Sequence, residues 1–157
     1  METPVDPNAL PFDADAMLDG LRAWVTCESP TYDAAAVNRM MDIASRELVI
    51  AGARIERVAG RMGFGDCVRA SFPHATPSQP GILVMGHLDT VHPIGTLAEL
   101  SFRRDGNKAW GPGILDMKGG NYLALEAIGQ LARAHVATEL PITMLLTSDE
   151  EVGSPST

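Results

Sequence analysis

The sequence predicts an α/β fold with a mixed, mostly parallel sheet and helices packed on both of its faces. Long segments with apolar residues at helical spacing alternate with short runs of β-type residues. Two of the short runs, residues 82–85 and 142–146, are apolar on both faces, which is typical of strands buried in a parallel sheet. A hairpin signal between these two runs makes the predicted sheet mixed rather than wholly parallel.

The composition is that of one folded domain. Hydrophobic residues make up 45% of the 157 residues and charged residues 20%, as in ordinary globular proteins. The net charge of −8 and the lack of a Lys/Arg run argue against a nucleic-acid partner. Without a signal peptide or a membrane-length apolar run, we expect a cytoplasmic protein with no membrane partner. The two cysteines, Cys27 and Cys67, are expected to be ordinary reduced thiols.

The N-terminal segment divides into an arm and a helix. Residues 1–13 contain three prolines and are predicted to form a flexible arm. From Ala14 onward apolar residues recur at helical spacing, and Pro30 closes this first helix. We therefore place the folded domain at residues 14–157.

A second helix and two strands follow. Thr31 or Asp33 can cap the helix at its start, and Gly52 is well placed to end it. Residues 54–58 and 67–72 are short β-type runs separated by glycine-containing turns.

The second half of the chain contains the predicted hairpin and a long helix. Asp105-Gly106 is a strong turn signal between two short β-type runs. A helix is predicted over residues 118–134, and either of two apolar faces could pack inward. One face carries Tyr122, Leu125, Ile128, Gly129 and Ala132, and the other carries Leu123, Ala124, Ala127 and Leu131.

Candidate ligands follow the two buried runs. His87 and Asp89 come directly after the first run, and Glu150 and Glu151 follow the second within a few residues. Ligands of open α/β sheets bind beyond the carboxyl ends of strands, so parallel neighbours would bring these side chains together. The imidazole of His87 is a good zinc ligand, and Asp89 can fix its tautomer.

The remaining polar residues of these turns allow alternatives. Asp116 lies between glycines where a loop enters a helix, so it is either an N-cap or a carboxylate that bridges two cations. In the Asp149-Glu150-Glu151 run, one carboxylate can bind a metal while its neighbour holds the attacking water. Asp149 itself is expected to be a cap or a solvated residue. His92 lies close enough along the chain to line the site, but an ordinary turn residue is favoured.

Three motifs taken together resemble one family. Residues 86–91 (Gly-His-Leu-Asp-Thr-Val), 111–120 and 148–154 resemble, in order and spacing, the co-catalytic zinc hydrolases. That family includes glutamate carboxypeptidase, acetylornithine deacetylase and succinyl-diaminopimelate desuccinylase. The Asp-Met-Lys-Gly-Gly form of the second motif is most similar to the glutamate carboxypeptidase branch.

The resemblance implies a role for each site residue. His87 would bind the first of two zinc ions, Asp116 would bridge both, and Glu151 would bind the second. Glu150 would be the general base, and Asp89 would orient His87. The resemblance also implies a cis peptide bond after Asp116. The same ligand set can accept cobalt or manganese.

The family comparison further implies that the chain is incomplete. Members of the family have two further ligands, an acidic residue and a histidine, and an inserted dimerisation domain, all beyond the part that this sequence matches. We therefore expect an N-terminal part of a zinc-exopeptidase-like domain that is inactive alone, and a homodimer for the full-length protein.

The predicted function is hydrolysis of an amide bond by metal-activated water. The substrate would be a small peptide or an N-acyl amino acid, as in metallocarboxypeptidases and deacylases. The alternative is a truncated, non-catalytic fragment or interaction module that keeps the fold. A serine or cysteine hydrolase is disfavoured, because no Ser or Cys lies in a nucleophile motif.

Overall fold

The computed structural model describes Asp6 and residues 9–157. The predicted arm, residues 1–13, therefore lies partly outside the described residues, and its flexibility stays a prediction. Within the described part, no helix combines the length and apolar character that a membrane crossing requires. Cys27 and Cys67 are not joined to each other in a disulfide.

Helices and strands form close to where the patterns predict them. In chain order they are α1 (Ala14–Thr26), α2 (Ala34–Ile50), β1 (Arg54–Val58), β2 (Cys67–Ser71), β3 (Ile82–His87), β4 (Arg103–Asp105), β5 (Lys108–Trp110), α3 (Gly119–Arg133) and β6 (Ile142–Thr147). Single helical turns occur at Thr96–Ala98, Ile114–Lys118 and Glu150–Val152.

Local sequence signals explain the ends of α2. The Asp33 carboxylate accepts a hydrogen bond from the Ala36 amide (2.9 Å), so Asp33 and not Thr31 is the N-cap. Gly52, just beyond the helix, has a φ of +96°, which glycine adopts without the steric cost of a side chain.

The α/β class is confirmed, but the strand pairing corrects one expectation. The four-stranded sheet has the order β1-β2-β6-β3, and only the β3–β6 pair is parallel. The described sheet is therefore mixed but not mostly parallel. The predicted hairpin forms as β4–β5, yet it is a separate two-stranded sheet. The mixed character comes instead from β2, which joins β6 in antiparallel fashion.

The helices cover one face of the four-stranded sheet, not both as predicted. Residues of all three helices share one core with Ala70 and Met144, which have no exposed surface. On the opposite face of the sheet Leu83 and Met85 are 55% and 57% exposed. Strand β3 thus has the two-sided apolar pattern of a buried strand, but the described residues cover only one of its sides.

The inward face of α3 is the one that carries Tyr122. Tyr122 and Leu125 are buried in the core, whereas Leu123 is 59% exposed. The Tyr122 ring meets Trp24 of α1 edge to face, with 5.4 Å between the ring centroids. This contact joins α1 to α3.

Lys118, just before α3, also contacts the end of α1. Its side chain is almost fully buried, and its ammonium donates to the carbonyls of Trp24 (3.1 Å) and Cys27 (2.7 Å) at the end of α1. Burial lowers the pKa of Lys118 to about 8. Lys118 therefore satisfies carbonyl groups at a helix C-terminus and has a structural position.

Candidate metal centre

The parallel pairing of β3 with β6 brings the first and third motifs to one edge of the sheet. His87 is in register with Thr147, so the turns that follow both strands begin side by side. Asn121 of α3 holds the end of β3, because its amide group donates to the His87 carbonyl (2.6 Å). A Cβ atom at Gly86 would lie 1.9 Å from the Asn121 side chain, so this close approach requires glycine.

The His87 ring is buried and has a defined orientation. Its Nδ1 atom lies 3.0 Å from the backbone carbonyl of Asp89 and 3.4 Å from a carboxylate oxygen of the same residue. Because the carbonyl can only accept, Nδ1 carries a proton and donates it. The Nε2 atom faces Asp116 Oδ1 at 3.1 Å and Glu150 Oε2 at 3.6 Å. This arrangement leaves Nε2 as the nitrogen available to a metal.

The charge around His87 favours a bound cation or proton. Burial lowers the pKa of His87, but hydrogen bonds to Asp89 and Asp116 outweigh burial and raise it to about 9. A proton and a metal ion therefore compete for the Nε2 atom of His87.

Asp89 contacts several parts of the site through its buried carboxylate. It has no exposed surface, and its carboxylate accepts hydrogen bonds from the Thr31 hydroxyl (2.8 Å) and from the backbone amides of Glu150 and Glu151 (both 3.2 Å). Burial raises the pKa of Asp89, but these bonds and the one with His87 outweigh it and lower the pKa. Asp89 therefore stays ionised and fixes both the imidazole and the acidic turn after β6.

Asp116 reaches the site from an irregular turn before α3. Gly113 opens this turn with a φ of +68°, and a Cβ atom at Gly119 would lie 2.5 Å from the Ile114 carbonyl oxygen. The Asp116–Met117 peptide bond is cis, as the resemblance implies. The Asp116 side chain does not cap α3, whose first turn is preceded by Lys118. The capping alternative for Asp116 is therefore wrong.

Three side chains converge as a donor set. One ligand atom each from His87, Asp116 and Glu151 lie within 4.8 Å of one another. Zinc binds such nitrogen and oxygen donors at about 2.0–2.2 Å, so a small inward movement would let all three reach one ion. Burial raises the pKa of Glu151, and the negative charges of Asp116, Asp89 and Glu150 raise it further. The donor chemistry and the excess negative charge both fit a cation.

The neighbours of Glu151 differ in their surroundings. Glu150 is half exposed, and its carboxylate points toward His87 Nε2. Asp149 is buried and accepts hydrogen bonds from the Ser156 amide and hydroxyl (2.8 Å each) and from the Thr157 hydroxyl (2.6 Å). The expectation of a capping or solvated Asp149 is therefore wrong, because its side chain holds the following turn. Of Asp149 and Glu150, it is therefore Glu150 whose carboxylate is exposed.

Two residues near the site were not predicted from the sequence. Thr31 was considered only as a helix cap, and Asn121 was not considered at all. Their partners, Asp89 and His87, lie 58 and 34 positions away along the chain, so no local pattern signals either contact. His92 lines a cavity of about 280 Å³ together with Asp116 and Glu151, so the structure places it beside the site.

Comparison with known proteins shows which proteins this chain is similar to. Residues 83–157 match the model described as peptidase family M20/M25/M40. The chain is a relative of the M20 peptidases, as its motifs predict. It is also 34% identical over 140 residues to carboxypeptidase G2 of Pseudomonas sp. (strain RS-16). That match covers 88% of this chain but 33% of carboxypeptidase G2, so the chain spans about a third of this M20 relative.

Solved structures show the same fold. Human carnosine dipeptidase 1 superposes with a TM-score of 0.77 at 23% identity, over 90% of this chain and 33% of that one. The dipeptidase Dug1p from Saccharomyces cerevisiae gives a TM-score of 0.75 at 17% identity, over the same shares of the two chains. At these identities the likeness to both dipeptidases is one of fold.

Proposed function

We propose that this chain carries the catalytic carboxylate and three metal ligands of a zinc-dependent amide hydrolase. The observation that carries the proposal is the convergence of His87, Asp116 and Glu151, with Glu150 beside them. The relation to M20 peptidases supports a peptidase or deacylase reaction. We infer a small peptide or an N-acyl amino acid as the substrate.

Each of these residues has its own role in the proposed hydrolysis. When bound, zinc supplies Lewis acidity, which makes water easier to deprotonate and a carbonyl oxygen easier to attack. Glu150 takes the proton of the attacking water and delivers it to the leaving amine. Asp89 keeps His87 in the tautomer that leaves Nε2 deprotonated when it binds the metal.

We further propose that Asp116 bridges two ions, with His87 on the first and Glu151 on the second. Cobalt or manganese could replace zinc at these donors. Each catalytic zinc ion usually has three protein ligands, more than the three described donors can supply to two ions. Residues 14–157 would then be the N-terminal part of a larger catalytic domain, and we expect the complete protein to be a homodimer in the cytoplasm.

The test is the zinc dependence of hydrolysis by the complete gene product. N-acyl-glutamate and dipeptide substrates should be cleaved, activity should disappear on chelation, and zinc should restore it. A complete product that binds zinc but cleaves neither substrate class would favour the alternative, a non-catalytic interaction module that keeps the fold.

A further inference from the structure

A second cavity borders the metal centre, because the candidate ligand Glu151 lines it. It has a volume of about 480 Å³ and lies between the loop after α1 and the loop after β3. Val91 and Glu151 line both this cavity and the smaller one that contains His92. The candidate ligand Glu151 therefore lies between two cavities, and a substrate held at the site would extend into both.

The walls of the larger cavity are apolar and unusually exposed. The Tyr32, Val91 and Ile94 side chains are 80%, 67% and 55% exposed. Scattered apolar residues are ordinary on a surface, but a cluster around a concave site marks a binding surface. Asp33, a charged residue that borders the cavity and is not one of the candidate metal ligands, is acidic, so it would repel a negatively charged group here.

Hydrogen bonds hold these walls in place before any ligand arrives. The Thr31 amide donates to the Thr90 carbonyl (3.2 Å), and the Thr90 amide donates to the Ser29 carbonyl (2.9 Å). The Glu28 carboxylate accepts from the amides of Gly95 and Leu97 (2.9 Å each) on the opposite loop. A preformed wall loses little conformational entropy when a ligand binds.

We propose that this cavity is the subsite for an apolar side chain next to the scissile amide, with Tyr32 and Ile94 as its specificity-determining walls. The inference rests on the proposed hydrolytic function, because it identifies the cavity's ligand as part of that substrate. It narrows the substrate class to amides that carry an aromatic or branched aliphatic group beside the bond that is cleaved.

The test uses the 157-residue chain and two small probes, N-acetyl-phenylalaninamide and the α-amide of N-acetyl-aspartic acid, whose side-chain carboxylate is free. Titrations followed by amide NMR shifts should show the apolar probe binding at the 31–33 and 91–95 loops. The acidic probe should bind at least about tenfold more weakly. Tyr32→Ala and Ile94→Ala should each weaken the apolar probe about fivefold or more. The matched control is Leu123→Ala, which removes an exposed leucine of α3 that does not line the cavity and should leave the affinity of both probes unchanged.

A zinc titration of the same samples separates the two proposals. Zinc binding at His87 without any apolar-probe shifts at the two loops would overturn the subsite and leave the proposed function standing. Failure of the chain to bind zinc even at about 1 mM, which allows for the weak affinity expected of three donors, would overturn the proposed function, and the subsite with it. Equal binding of both probes, or wild-type probe affinity in both wall variants, would also overturn the subsite.

Discussion

At the scale of single residues, the acidic side chains of the site form a buried group and an exposed group. Asp89 is buried and has four hydrogen-bonding partners, so its carboxylate holds other groups in place. Asp116 and Glu150 have side chains that are 72% and 54% exposed, so they can meet a metal or a substrate. The distinction supports our proposal that Asp89 positions other groups and that the exposed pair takes part in the chemistry.

The base is tested by Glu150→Gln in the complete protein. Glutamine has nearly the same shape but cannot accept the water proton, so we expect kcat to fall at least about 100-fold. Zinc content should stay near the wild-type level, because Glu150 is not one of the three converging donors. Metal analysis and steady-state kinetics provide the two readouts. Retention of most of the activity would move the role of base away from Glu150.

Zinc affinity should depend steeply on pH. His87 has its pKa raised from 6.5 to about 9, so its contribution to folding stability is complete below pH 6.5 and is lost as pH rises through about 9. Zinc must displace that proton, and affinity should rise about tenfold between about pH 7 and about pH 8. Chelator competition at the two pH values measures the change. The same slope is expected in His74→Gln, and a flat profile would show that His87 Nε2 is not a ligand.

At the scale of elements, two contacts set the distance between the strands and the Asp116 turn. Asn121 ties α3 to the end of β3, and Lys118 ties the start of α3 to the end of α1. The turn between Gly113 and Gly119 is therefore held from both sides. We expect damage to either contact to loosen the donor set as well as the fold.

Lys118→Met tests the second of these contacts. The substitution leaves two carbonyls of the α1 end without their donor, and we expect a loss of about 1–3 kcal/mol at about pH 7. Because the pKa of Lys118 is lowered from 10.5 to about 8, the folded wild-type protein gains stability as pH rises between these values. The loss measured by urea unfolding should therefore be larger at about pH 9.5.

The control for this substitution is Lys108→Met, which removes an exposed lysine on β5. It should change the free energy of unfolding by less than about 0.5 kcal/mol at either pH. An equal effect of the two substitutions would contradict the structural role of Lys118.

Element positions could be predicted from the sequence, whereas strand pairing could not. Apolar spacing and turn residues are local signals, and they locate α1, α2 and the β4–β5 hairpin. The antiparallel pairing of β2 with β6 joins segments more than 70 residues apart, and no local pattern encodes it. The face that α3 buries also depends on Trp24, a distant partner.

Some residues of the candidate site could likewise be predicted from the sequence, and others could not. His87, Asp116 and the acidic pair could be predicted because each stands in a turn with its own motif. Thr31 and Asn121 could not, because each acts through a hydrogen bond to a residue far away in sequence. Asp149 was misread, since its partners, Ser156 and Thr157, carry no signal of their own.

At the scale of the whole molecule, the described fold has one covered and one open sheet face. Leu83 and Met85 of the edge strand β3 lie on the open face. Exposed apolar edge strands favour association between chains. The set of metal ligands is also incomplete. Three described residues converge, whereas the proposed centre would hold two ions.

The 157-residue chain by itself should therefore be inactive and should bind zinc weakly. Three donors shared by two ions leave each ion short of the three protein ligands that catalytic zinc usually has. We expect no hydrolysis of N-acyl-glutamate substrates and a zinc Kd well above nanomolar. Calorimetry and a turnover assay on the purified chain test this. Two zinc ions bound at about −12 kcal/mol each, with measurable turnover, would contradict it.

The central claim is that His87, Asp116 and Glu151 form one metal site, and anomalous diffraction from zinc-soaked crystals of the chain tests it most directly. We predict a zinc peak within about 2.3 Å of His87 Nε2 and of a carboxylate oxygen of Asp116, with Glu151 beside it. The peak should disappear in His87→Ala crystals soaked in the same way. Zinc bound only elsewhere, for example at His74 or His135, would contradict the claim.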